Sequence, residues 1–138
     1  MDIIHDAALA PGTGVTITTL GRLHGEPPAA DITLDLRKHF RDPHISPELR
    51  HLTARDVEVR TAVLTTPGIQ ALIDATAAAV VAYLSGPSAG PVTVAVFCAG
   101  GRHRAPVVGM HLAAALINLW GIPAGLIHRD LDKAVVSR

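Results

Sequence analysis

The segment Cys98 to Ala105, CAGGRHRA, brings together one thiol, two adjacent glycines and three consecutive basic side chains, Arg102, His103 and Arg104. Gly100 and Gly101 let backbone amides approach an anion closely. A helix that begins just after them adds the partial positive charge of its N-terminus. His103 and Arg104, in the first helical turn, add side-chain donors, and Arg102 adds a further positive charge. This run reads as a loop that holds a phosphate or similar anion where a buried strand turns into a helix. A strand-to-helix turn whose glycines serve geometry alone is the simpler alternative.

A second chemistry is spaced into the same run. Cys98 and Arg104 match C-x5-R, the phosphate loop of cysteine-dependent phosphatases, in which a thiolate attacks phosphorus while the Arg and backbone amides hold its oxygens. The signature is incomplete. Ala105 stands where a Ser or Thr follows the Arg, Phe97 stands where a His precedes the Cys, and no Asp is placed as the general acid. Cys98 and Arg104 are therefore catalytic candidates only under that alternative, and an inert thiol at a strand end is the other role for Cys98.

The eight histidines show no HxxxH, HxH or Cys/His ligand spacing, so neither a metal site nor a cofactor is expected. His5, His24 and His111 read as surface or core residues. HRD at His128 to Asp130 matches a kinase catalytic triplet, but no Gly-rich nucleotide loop or DFG accompanies it.

Twelve basic and twelve acidic side chains cancel, so no global field draws the protein to nucleic acid or an anionic membrane. The charge is nonetheless uneven. From Ala75 to Arg129 there is no Asp or Glu, while Arg102, Arg104 and Arg129 all fall there, which leaves a local positive potential. The single cysteine excludes an internal disulfide, and MDIIHDAALAPG lacks the regions of a secretory signal, so a cytoplasmic location is expected. Ala105 to Ile127 is almost wholly apolar, but Gly121 and Pro123 split it, giving buried core rather than a membrane span.

These groups need a scaffold, and 138 residues at 49% hydrophobic suffice for one domain, 1–138, with 1–12 as a flexible lead or weakly held arm. Gly14 to Leu20 has the β-branched content of a strand, and Asp31 to Arg37 alternates apolar and polar residues as a half-buried strand, with Asp35 and Arg37 on one side. Lys38 to Thr53, with Pro43 and Pro47 opposing regular structure, reads as a long binding loop that supplies His39, His44 and His51.

Thr53 is placed to cap a helix from Ala54, and Thr66 or Pro67 to open another to Leu84, with Ile69, Leu72, Ile73, Ala77, Val80 and Tyr83 on its apolar face. Pro91 to Phe97 reads as a central strand and His103 to Trp120 as a helix buried along Val108, Leu112, Ala115, Leu116 and Leu119. Ala124 to His128 reads as a last strand. The class is α/β, a single small sheet of about four strands flanked by helices.

Three ordered blocks carry a resemblance: DLRKHFRDPHISPELRHLT at Asp35 to Thr53, CAGGRHRA at Cys98 to Ala105 and HRDLDK at His128 to Lys133. They resemble DVR, Asn-Pro and PELRxLTG, then GCTGGxHRS, then HRxLEK of the C-terminal domain of the RNase adaptor protein RapZ. The similarity covers about Ile17 to Lys133. In that family a P-loop domain precedes this part; no G-x4-G-K-S/T occurs here, so Walker-type ATP hydrolysis is not expected.

The resemblance implies a non-catalytic regulatory domain that binds an amino-sugar phosphate, with glucosamine 6-phosphate as the signal, or a nucleotide. It also implies contact with small RNA presented to an RNase, and assembly as an oligomer. Carried over, the ligand set is Ala99, Gly100, Gly101, His103 and Arg104 with His44, joined by Arg37, His128 and Arg129 from strand ends, Asp35 orienting Arg37. Two family hydroxyls are replaced by Ala99 and Ala105. The basic tail is reduced to DKAVVSR, and Phe40, Phe97, Tyr83 and Trp120 are the only aromatics, which weakens the expectation of RNA binding. Apolar surface on the helix from His103 to Trp120 is a candidate interface between copies.

Overall fold

The computed structural model describes residues 14–138 except residue 89; the lead expected over 1–12 lies outside the described residues. Four parallel strands, β1 (Val15–Gly21), β2 (Ile32–Asp35), β3 (Val92–Cys98) and β4 (Ala124–His128), form one sheet in the order β2-β3-β1-β4. β3 is inner and almost wholly buried, as its continuous apolar run predicts. Edge strand β2 alternates half-buried Ile32 and Leu34 with exposed Thr33 and Asp35. It stops short of the predicted Arg37 because the Asp35 carboxylate accepts the Arg37 N–H at 3.0 Å and turns the chain.

The loop expected over Lys38 to Thr53 holds more structure than predicted. It contains a 3-10 turn at Pro43–Ile45 and a one-turn helix, α1 (Pro47–Arg50). Both prolines sit at the first helical position, where a missing N–H costs nothing, so they open the turns that they were expected to prevent. The next helix, α2 (Val57–Leu64), starts later than Ala54 because Asp56, not Thr53, is the N-cap. Thr53 instead donates its N–H to Asp56 Oδ2 at 2.8 Å. α3 (Ile69–Leu84) follows Gly68, whose φ of +92° no side chain adopts easily.

α4 (Arg104–Trp120) packs on β1, β3 and β4, and α2 and α3 pack on α4, so the three long helices share one face of the sheet. Ile17, Ile73, Leu112, Leu116 and Leu126 are fully buried between the layers, each contributing about 1.5–3 kcal/mol. Of the expected core positions, Leu72 and Ala115 are half-buried and two are exposed. Leu119 is 77% and Tyr83 52% exposed. A helix of 17 residues runs about 26 Å, whereas five-residue β4 spans about 17 Å, so the last turn of α4 overshoots its support. Tyr83 sits near the end of α3 with its hydroxyl 3.5 Å from the Asp31 carbonyl. No single helix among the described residues is long and apolar enough to cross a membrane.

The connection from β1 to β2 passes β3 in one direction, and that from β3 to β4 passes β1 in the other. Right-handed crossovers then lie on opposite faces, and the strand order switches between β1 and β3. Ligands of open α/β sheets sit beyond the strand C-termini at such a point. Here those C-termini are Gly21 and Cys98, paired in register.

Candidate anion-binding site

The Gly-rich turn is built by backbone contact. A Cβ on Gly21 would stand 2.3 Å from the Gly100 carbonyl carbon. One on Gly101, where φ is +78°, would stand 2.6 Å from the Gly21 nitrogen and 2.8 Å from Asp130 Cβ. Only glycine permits both the approach and the turn. Buried Asp130, just beyond β4, supports the arrangement by accepting the Gly21 N–H at 2.7 Å while Lys133 Nζ lies 2.6 Å from its other oxygen. Burial pushes the Asp130 carboxyl up, but the Gly21 N–H and the Lys133 ammonium outweigh it and hold the group below the usual carboxylate value. Among the described residues, the N–H groups of Gly100 to Arg104 donate to no backbone carbonyl.

The three side chains after the glycines are turned inward. Half-buried Arg102 donates to the Lys133 carbonyl at 2.6 Å and the His51 carbonyl at 2.9 Å. His103, 4% exposed, donates from Nε2 to the Leu52 carbonyl at 2.8 Å. Arg104, 2% exposed, donates from Nη1 to the carbonyls of Leu36, Arg37 and Phe40, and its Nη2 lies 3.1 Å from Asp42 Oδ2. Three consecutive residues thus tie the turn to three separate segments. Burial holds the His103 imidazole below the ordinary histidine range despite the Leu52 carbonyl.

This geometry does not assemble the C-x5-R phosphatase. Cys98 is 3% exposed and its Sγ is 3.4 Å from the Ala105 N–H, while Arg104 spends its Nη1 and Nη2 donors on carbonyls and Asp42. An attacking thiolate needs access, and a phosphate-holding Arg needs free donors.

An open cleft of about 590 Å³ lies beside the turn, lined by His44, Ile45, Arg50, His51 and the segment Val135 to Arg138. Its centre of organisation is Asp42. Oδ1 accepts the His44 N–H at 3.0 Å, and Oδ2 lies 2.6 Å from Arg138 Nη1 as well as against Arg104. Burial raises the Asp42 carboxyl, but the His44 N–H and the Arg104 and Arg138 guanidiniums overcome it, and the group stays ionised well into acid. Arg138 also links cleft to turn, since its Nη2 would be 3.7 Å from a Cβ on Gly100. Arg50 Nε donates to the His44 carbonyl at 2.8 Å. Burial, with Arg138 close by, lowers the His44 imidazole from its ordinary value.

The other expected ligands do not converge here. Arg37 pairs with Asp35 at 2.9 Å and lies 5.1 Å above the Phe97 ring, at the end of β2. His128 Nδ1 is 2.6 Å from Thr19 Oγ1, and Arg129 donates to the Glu26 carbonyl, at the end of β4. β2 and β4 are opposite edges of the sheet, about 14 Å apart at 4.8 Å per strand. They are not neighbouring strand ends, so Arg37 and the pair His128 and Arg129 belong to different surroundings. Sequence reading offered His51 with His44 in one binding loop, but it missed Arg50 and Arg138 as lining residues of the cleft and Asp42 as the carboxylate beside it. Asp42 had a local signal, an Asp before Pro that caps a turn, whereas Arg138 had none, because only folding carries it back to Asp42.

The family described as the RapZ C-terminal domain matches residues 13–132. A nucleotide-binding protein of Clavibacter michiganensis subsp. michiganensis is 35% identical over 125 residues, which is 88% of this chain and 43% of that protein. Relatives of the same name from Thermobifida fusca and Frankia alni are 37% and 36% identical, covering 85% and 93% of this chain and 40% and 46% of theirs. The chain therefore spans less than half the length of these curated relatives.

Proposed function

Because this chain belongs to the RapZ C-terminal domain family, we propose that it is a regulatory domain that binds a phosphorylated small molecule in the cleft beside its Gly-rich turn. One observation carries the reading. His44, Arg50, His51 and Arg138 line the cleft together, and no acidic side chain lines it among the described residues. A phosphate there meets two guanidiniums and two imidazoles. The relatives are named nucleotide-binding proteins, and a nucleotide is one ligand of this chemistry. Each relative is more than twice as long as the matched region.

Calorimetry of the full chain with orthophosphate, glucose 6-phosphate and a nucleoside monophosphate, repeated on Arg138→Ala and His44→Ala, tests the proposal. Saturable binding that weakens in both variants supports it. Binding unaffected by either change, or none for any phosphate, defeats it. A gel shift with structured RNA that falls steeply with salt, in the absence of small-molecule binding, would assign the same cations to an RNA backbone instead.

A further inference from the structure

The segment from Pro43 to His51 divides its side chains between two hollows. His44, Ile45, Arg50 and His51 line the cleft. Pro43, Ser46, Glu48 and Leu49 line a second cavity of about 240 Å³, which Arg41 and the end of α2 complete. We infer that this second cavity binds a small amino-acid-like zwitterion, its carboxylate toward Arg41 and its ammonium toward Glu48. The site is separate from the anion cleft and does not depend on it.

One guanidinium and one carboxylate, Arg41 and Glu48, share the cavity without pairing with each other. A zwitterion carries the complementary charges on one small frame, so each meets its opposite. A lone anion would be attracted by Arg41 and repelled by Glu48, and a lone cation the reverse. Ser46 supplies a third group. It is 8% exposed and stands at the N-cap of α1, yet its side chain makes no cap bond, nor any other hydrogen bond among the described residues. A serine at that position ordinarily accepts an N–H of the first turn. This hydroxyl instead remains for the cavity it lines, able to donate to a carboxylate or accept from an ammonium. Thr65 and Thr66, on the opposite wall, donate their hydroxyls to the Thr61 and Ala62 carbonyls at 2.7 Å and 2.8 Å. Their oxygens keep only lone pairs for a ligand, and they stand at the negative end of α2, which favours an ammonium. Leu49, Ala62 and the two prolines form the apolar remainder, suited to a short aliphatic side chain.

Amide chemical shifts of the full chain, followed while L-alanine is added, test the assignment. Saturable shifts at Ser46, Thr65 and Thr66 are expected. Arg41→Ala and Glu48→Gln, both at exposed positions, should each weaken the binding about tenfold. Propionate and ethylamine, which carry one of the two charges apiece, should bind about tenfold more weakly than alanine or worse. No saturable shift with alanine, or binding that survives both substitutions, overturns the inference. Propionate binding as tightly as alanine overturns it too, because the cavity would then be a simple anion site. Ser46→Ala should weaken alanine binding while leaving the urea midpoint in place, since no cap bond is lost. A lower midpoint with unchanged binding would instead assign the hydroxyl to α1 and overturn its part in the site.

Discussion

The buried Arg104 guanidinium stands 3.1 Å from Asp42 Oδ2, and the same oxygen holds Arg138 at 2.6 Å. One carboxylate thus joins the start of α4, the loop after β2 and the segment that walls the cleft. Replacing Arg104 with Ala leaves Asp42 partly compensated by Arg138, but strips three carbonyls of their donor. A loss of about 3 kcal/mol is expected in urea unfolding. Arg104→Lys should recover little, because a single ammonium cannot reach carbonyls and carboxylate in one plane.

The turn predicts opposite fates for adjacent glycines. Gly101→Ala puts a methyl into Gly21 and Asp130 at positive φ, whereas on Gly100 the nearest contact is Arg138 at 3.7 Å. Gly101→Ala should cost more than about 2 kcal/mol, and Gly100→Ala should be neutral or slightly stabilising. Thermal unfolding of the two variants side by side checks the contrast.

Stability should fall on acidification before any carboxylate titrates. Burial holds His103 and His111 below the ordinary histidine value. As pH drops through about 6.5, the unfolded chain takes up these protons first, and stability declines. Above that value their contribution is fully present. Asp42 and Asp130, lowered in the fold, add a second loss at still lower pH. Urea midpoints from about pH 8 to about pH 5 read the first decline, and His103→Gln, which keeps a donor for Leu52, should flatten it.

Anion affinity should rise over the same range. Burial lowers His44 in the free protein, and a bound phosphate favours its charged form, so protonation and binding reinforce one another. Phosphate affinity should strengthen as pH falls through the histidine range, and His44→Ala should reduce that dependence while Arg138→Ala weakens binding and leaves it in place.

Cys98, 3% exposed beside Ala105, should react with an aryl disulfide no faster than the protein opens. Its labelling rate in native buffer should match the unfolding rate measured in parallel. Rapid labelling would contradict its burial and reopen the catalytic reading.

Much of the scaffold was legible because each element carries its own period. β4 follows its predicted limits and β3 is displaced by one residue, since apolar β-branched runs bounded by Gly and Pro admit few alternatives. Boundaries set by caps were less visible. Thr53 and Asp56 both offer capping oxygens, and only the backbone path selects Asp56. Leu119 shares the stripe of Leu112 and Leu116, yet lies beyond the sheet that buries them.

The site divides in the same way. The amino-acid order alone places two glycines and three basic residues at a strand-to-helix turn, because spacing and turn chemistry are local properties. It determines the acid-free stretch and the α/β class for the same reason. Tertiary structure decided where those side chains point. Packing turned Arg102, His103 and Arg104 onto carbonyls of segments distant in sequence, which satisfies their terminal donors while the Nε groups of Arg102 and Arg104 stay buried without a partner among the described residues. It set β2 and β4 on opposite edges, separating Arg37 from His128 and Arg129. Finally, it brought Arg138 to Asp42 across 96 positions, so that a cationic cleft formed from residues with no shared pattern along the chain.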